Sequence, residues 1–212
     1  MIAIGIDIGG MSIKGAAVDS NGRVYDKFSM PFVKGEPGEK TIKQLAELVR
    51  DYIASEHLEG KIAGIGIGSP GTLDVEHGIV NYANNLGWEE LPVAQIMQEI
   101  LPYPVRLTND ANAAALGEAK FGAGKAYETV IMLTLGTGVG GGIIINGKLY
   151  EGNEGKGGEL GHVVVQVDGE PCSCGRKGCL EAYASATALI RETKKAMRAN
   201  KRSLMWQISP EI

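Results

Sequence analysis

IAIGIDIGGMSIKGAAVDSNG, residues 2–22, and TVIMLTLGTGVGGGIIINGKLY, residues 129–150, are built to one plan. In the first, Ile2, Ile4 and Ile6 alternate with Ala3, Gly5 and Asp7, the two-residue period of a strand. Gly9-Gly10 turns the chain and residues 12–18 return as a second strand. Asn21-Gly22 is a strong hairpin signal, and residues 24–29 supply a third strand. The second copy repeats the order: a strand over 129–135, a glycine turn over 136–142, a strand over 142–145, Asn146-Gly147, and a short strand over 148–150. A duplicated unit implies two related α/β lobes with a cleft between them. The glycines at 117, 122 and 124 put the lobe boundary near 117–125, giving a first lobe over 1–118 and a second over 119–212.

Between the copies the period changes. Ile42, Leu45, Leu48, Val49, Tyr52 and Ile53 fall on one helical face. Residues 62–68 read as a buried strand closed by Ser69-Pro70-Gly71, 91–101 as a helix, and 105–108 as a strand. A helix then begins at Asn109-Asp110 and runs to about residue 121.

The net charge is −4 with both signs scattered evenly, which argues against nucleic acid as a partner, since that needs a basic face. The cluster Lys194, Lys195, Arg198, Lys201 and Arg202 reads as a solvated helix face. No stretch has the length of a membrane span, and no basic-then-apolar leader precedes the first strand. A cytoplasmic location is the expectation. The 31 glycines cluster between apolar strands, the pattern of tight turns and close backbone approach.

Neither glycine turn is a P-loop, because a strand rather than a helix follows the glycines. A bare hairpin tip still exposes backbone N–H groups that can cradle phosphate oxygens. Asp7, at a strand end, suits hydrated magnesium, which takes few protein oxygens. Either turn alone reads more simply as a plain hairpin; two facing one cleft favour a nucleoside triphosphate. Asp110 at a helix start is read equally as a cap or as the ionised, oriented carboxylate that accepts an alcohol's proton.

All three cysteines lie within eight positions, in Cys172-Ser173-Cys174 and Cys179. Three thiols cannot all pair within one chain, so a metal is the expectation. Structural zinc takes four ligands, and His162 is the nearest candidate for the fourth. Such an ion would pin the His162 loop to the start of the segment bearing Glu181. Glu159, His162 and Glu181 could then meet one small polar ligand such as a sugar, with Asn84 and Asn85 as further contacts. Taken singly, each of these reads as an ordinary surface Glu or turn Asn.

GELGHV followed by CSCGRKGCLE, together with DIGGMSIKG, NDANAAALGE and LGTGVGGGIIINGKL, resembles the ROK family of sugar kinases and repressors, and most its bacterial glucokinases. The resemblance runs the whole chain. It implies an actin-like, ribonuclease H-like sugar-kinase fold of two α/β lobes, with ATP and Mg2+ as cofactors beside a structural Zn2+. By motif match, Asp110 would be the general base. Gly71, Asn84, Asn109, Glu159, His162 and Glu181 would hold the sugar. Asp7, Gly9, Gly10, Ser12 and Lys14, with the turn Gly136, Thr137, Gly138 and Gly140, would surround the phosphates. His162, Cys172, Cys174 and Cys179 would bind zinc. The expected reaction is phosphorylation of a hexose, glucose first. Another hexose (N-acetylmannosamine, mannose or fructose) and a non-catalytic sugar-binding fragment are the alternatives. A repressor of the family would need a helix-turn-helix ahead of the first strand, and the sequence opens on that strand.

Two departures qualify the resemblance. Met11 stands where the family usually has Thr, removing a hydroxyl near the phosphates. The chain is also shorter than the family's kinases, so the second lobe is expected to be partial, to expose apolar surface, and to favour a homo-oligomer (dimer or tetramer).

Overall fold

The computed structural model describes residues 1–153 and 157–209. The opening hairpins form as their alternation predicts: β1 (Ile2–Ile8), β2 (Ser12–Asp19) and β3 (Val24–Pro31) are an antiparallel meander. Helix α1 (Gly38–Ser55) then crosses back to β4 (Ile62–Ser69), which lies parallel to β1. After a small sheet of β5 (Thr72–Asp74), β6 (Ile79–Ala83) and β7 (Trp88–Leu91), the short helix α2 (Val93–Gln98) leads to β8 (Val105–Asn109), parallel to β4. The five-stranded order is β3-β2-β1-β4-β8. A mixed sheet of this kind, with an antiparallel meander on one side and strands returned in parallel by helices on the other, is the α/β architecture expected above.

One face of that sheet carries the core. Ile4, Ile6 and Ile8 of β1 pack with Ile13 and Ala17 of β2 and Ile65 and Ile67 of β4. Ile42, Leu45 and Val49 of α1 and Met97 of α2 belong to the same cluster. The i, i+3, i+7 spacing on α1 places its apolar residues on one stripe, and all three are fully buried. Where β2 shifts register between Ala16 and Val18, the Ala17 N–H donates to the Tyr52 hydroxyl at 3.1 Å, and that hydroxyl donates to the Asp26 carbonyl at 2.6 Å. The bulge therefore leaves no buried donor unmet at that point.

The second copy of the unit is a separate sheet, in the order β11-β10-β9, of β9 (Val130–Leu135), β10 (Val139–Ile145) and β11 (Lys148–Leu149). Helix α3 (Asp110–Phe121) packs on β4 and β8 on one side and on β9 and β10 on the other, joining the two sheets. The tail holds a 3-10 turn at Leu160–His162, then α4 (Glu181–Ala184), α5 (Ala186–Ala199) and α6 (Met205–Ile208). No helix among the described residues is long and apolar enough to cross a membrane.

Three expectations shift. The helix expected over 91–101 is shorter, because Leu91 pairs with Val80 as the end of β7 and Pro92 sets the helix start. The β5–β6 hairpin was not expected at all. The glycine turn expected over 136–142 closes within Gly136–Gly138, where the Gly136 N–H donates to the Gly138 carbonyl at 2.9 Å. Gly140 and Gly142 lie inside β10 because a β-carbon on either would run into Ala111 or Ala115 of α3.

Candidate sugar and phosphate site

Helix α3 begins where β8 ends. Its N-cap is Asn109, whose Oδ1 accepts from the Ala111 N–H at 3.0 Å and the Asn112 N–H at 3.3 Å. That leaves Asp110 as the first helical residue, exposed, with Oδ1 accepting from the Ala111 N–H at 2.7 Å. The sequence left cap and base in balance for Asp110; the cap is its neighbour. Asn109, Asp110, Asn112, Gly140, Gly141, Gly158 and Glu159 line a small cavity of about 50 Å³. Asn112 is 4% exposed, and its Oδ1 has no hydrogen-bond partner among the described residues. A buried acceptor facing a polar cavity is where a water or ligand hydroxyl belongs.

A larger cleft of about 540 Å³ opens between the β5–β6 sheet and the tail. Gly71, Tyr82, Asn84 and Asn85 line one wall, and Thr137, Gly138, Ser173 and Glu181 the other. The β9–β10 hairpin borders both spaces, its turn through Thr137 and Gly138 in one and β10 through Gly140 and Gly141 in the other. Of the residues assigned to the sugar, Gly71, Asn84 and Glu181 thus share the cleft, while Asn109 and Glu159 share the small cavity with Asp110. His162 lines neither and belongs to the cysteine cluster.

The first glycine turn sits apart from both cavities but within electrostatic reach of Asp110. Asp7 and Lys14 are cross-strand partners in β1 and β2, and the Gly9 N–H donates to the Ser12 carbonyl at 3.1 Å. Partial burial pushes the Asp7 carboxyl above its usual range, the Asp110 charge adds to this, and Lys14 opposes it. Two carboxylates that repel one another beside a lysine are a donor set suited to a divalent cation carrying phosphate oxygens. Gly10 approaches Asn85 from the turn, and Met11 is 88% exposed at its tip.

The knuckle is folded by two bridges, Val164 with Cys179 and Pro171 with Lys177, and by glycines in left-handed conformation at Gly175 (φ +85°) and Gly178 (φ +77°). All four candidate ligand atoms lie within 4.8 Å of one another. Cys174 Sγ is 3.7 Å from Cys179 Sγ, and Cys172 Sγ is 3.6 Å from His162 Nδ1. A disulfide would need about 2.05 Å. Around tetrahedral zinc, with Zn–S of about 2.3 Å and Zn–N of about 2.0 Å, sulfurs stand about 3.8 Å apart and sulfur and nitrogen about 3.5 Å. The residues therefore fit the ion at two edges of the tetrahedron. The Arg176 backbone N–H and then its guanidinium lower the Cys174 thiol to about 6, while burial raises Cys179 to about 11.

Sequence reasoning missed Ser173, Asn112, Tyr82 and Arg191. Tyr82 and Arg191 line the cleft, but only the unforeseen β6 strand and the second turn of α5 bring them there. Ser173 carried a readable signal, its place between two cysteine ligands. Asn112, three residues after an N-cap, had no signal apart from the burial of its helix face.

The ROK family model matches residues 3–207. The glucokinase of Thermotoga maritima is 39% identical over 211 residues, 98% of this chain and 65% of its own length. The xylose repressor of Caldicellulosiruptor bescii is 38% identical over 212 residues, 99% of this chain and 53% of its own. Among solved structures, a ROK family glucokinase from Streptomyces griseus, in complex with glucose and AMPPNP, aligns with a TM-score of 0.76 at 38% identity, covering 95% of this chain and 62% of that one. The chain spans 60–65% of the length of the curated glucokinases it matches. With a family match from end to end and a shared actin-like fold, the chain belongs to the ROK family.

Proposed function

We propose that this chain is the sugar- and phosphate-handling part of a cytoplasmic ROK sugar kinase that transfers the γ-phosphoryl of ATP to a hexose, glucose first. N-acetylmannosamine, mannose and fructose are the competing substrates. The observation that carries the reading is the placement of Asp110: first residue of α3, uncapped, in one cavity with Asn109 and Glu159. In the proposed step, an Asp110 carboxylate oxygen takes the proton of the sugar hydroxyl. The freed oxygen bonds to the γ-phosphorus, and the bridging oxygen leaves with ADP. The helix start fixes the direction of that carboxylate.

Gly71, Asn84, Asn109, Glu159, His162 and Glu181 hold the sugar hydroxyls in this reading. Asn109 has its oxygen committed to the cap and offers its NH2. Asp7, Gly9, Gly10, Ser12 and Lys14 face the phosphates with Mg2+, as do Gly136, Thr137, Gly138 and Gly140. Zinc on His162 Nδ1, Cys172, Cys174 and Cys179 supplies no reacting group; when bound it locks the loop carrying His162 to the segment carrying Glu181. The two lobes meet near residues 118–119.

Asp110→Asn in the zinc-loaded protein should lower kcat by about 10²–10⁴ while glucose still binds by calorimetry, since a general base acts on the transferring proton. Turnover near the parent rate sinks the assignment. The similarity to a xylose repressor supports a second reading, sugar sensing without transfer. Glucose binding with no ADP released from ATP in a coupled assay favours that one. Cys174→Ser should lower both the zinc content and the glucose affinity; unchanged affinity breaks the link between them.

A further inference from the structure

Glu181 is held from two sides. Its Oε2 accepts from the Val139 N–H, at the start of β10, at 3.0 Å. A β-carbon on the adjacent Gly138 would collide with the same oxygen, so the glycine makes room for the carboxylate. Its Oε1 accepts from the Ser173 hydroxyl at 2.8 Å. Cys172 Sγ lies 3.8 Å from that oxygen and can donate only as a thiol. The Ser173 hydroxyl is the nearer donor on the knuckle and is not one of its four candidate ligands.

We infer that Ser173 is a positioning residue: its hydroxyl carries the order of the metal knuckle to Glu181 and fixes that carboxylate between the knuckle and the β9–β10 turn. The inference rests on the reading of Glu181 as a sugar ligand for its effect on affinity, and on geometry alone for its effect on Glu181.

The test uses zinc-loaded parent, Ser173→Ala and Ser173→Thr proteins. Zinc content is read by elemental analysis, glucose affinity by calorimetry and Glu181 geometry by crystallography. Ser173→Ala should keep its zinc, bind glucose about tenfold more weakly, and show Glu181 displaced, because one charge-assisted hydrogen bond is lost. Ser173→Thr should restore both affinity and geometry. Unchanged Glu181 coordinates in Ser173→Ala overturn the inference, with or without sugar binding. Loss of zinc in Ser173→Ala overturns it too, since the hydroxyl would then be serving the knuckle. A parent that binds no hexose removes the sugar reading, while the crystallographic arm still decides the role of Ser173.

Discussion

The two hairpin units share a plan and differ in their outer faces. On β1 and β2, the face turned away from the core carries Ala3, Gly5, Asp7, Lys14 and Ala16, small or charged apart from the half-buried Val18 opposite Ala3. On β9, the row facing away from α3 is Ile131, Leu133 and Leu135, exposed by 67%, 46% and 67%. Their cross-strand partners are Ile143, Gly141 and Val139. The segment at Gly158 and Leu160 reaches Gly141 of β10, but no described element covers the β9 row. Alternation alone therefore makes a strand, while the size of the side chains on the second face decides whether that strand asks for a further layer.

Core truncation should separate the units most sharply. Ile4→Ala in β1 removes a fully buried side chain of the main cluster and should cost about 3–4 kcal/mol, read by denaturant unfolding. Ile144→Ala empties a site 1% exposed against α3, in a thinner layer that can relax. It should cost about 2 kcal/mol. Equal losses would mean that the second sheet is as fully packed as the first.

Asp7→Asn is the next effect in size and has the opposite sign. The Asp7 carboxyl is raised in the folded chain, so folding favours its protonated form. Above that raised value the native state holds an ionised Asp7 at a cost; below the ordinary carboxylate range both states are protonated and the cost disappears. The variant should therefore melt higher than the parent at pH 7 without magnesium, with the advantage fading below about pH 4. A gain that persists at low pH would place its cause outside this repulsion.

The meander, α1, β4, β8 and the start of α3 were legible because each carries a clean period and a punctuating residue. The β5–β6 hairpin was not, since Thr72–Asp74 is too short to show a period and its turn at Glu76-His77-Gly78 resembles a loop. The extent of β10 was hidden because glycine marks turns and close-packed strands alike, and only α3 lying against Gly140 and Gly142 separates the two. At the site, the cysteine spacing announced its own cluster. The roles of Asn109 and Asp110 could not be divided from sequence, because both residue types cap helices and the choice depends on which side chain turns back over the first turn.

The smallest effect tests the bare face itself. Ile131→Lys puts a charge on a side chain already 67% exposed, so little apolar burial is lost and the β9 pairing with Ile143 is kept. Stability should change by no more than about 0.5 kcal/mol, the range of surface substitutions. The same change at a covered strand position would bury an unpaired ammonium and cost several times more. Melting at several protein concentrations sharpens the point: if copies cover this face in solution, the parent's Tm rises with concentration and the variant loses that rise. A large, concentration-independent loss would instead mean that β9 is as enclosed as β1, and the contrast between the two units would fail.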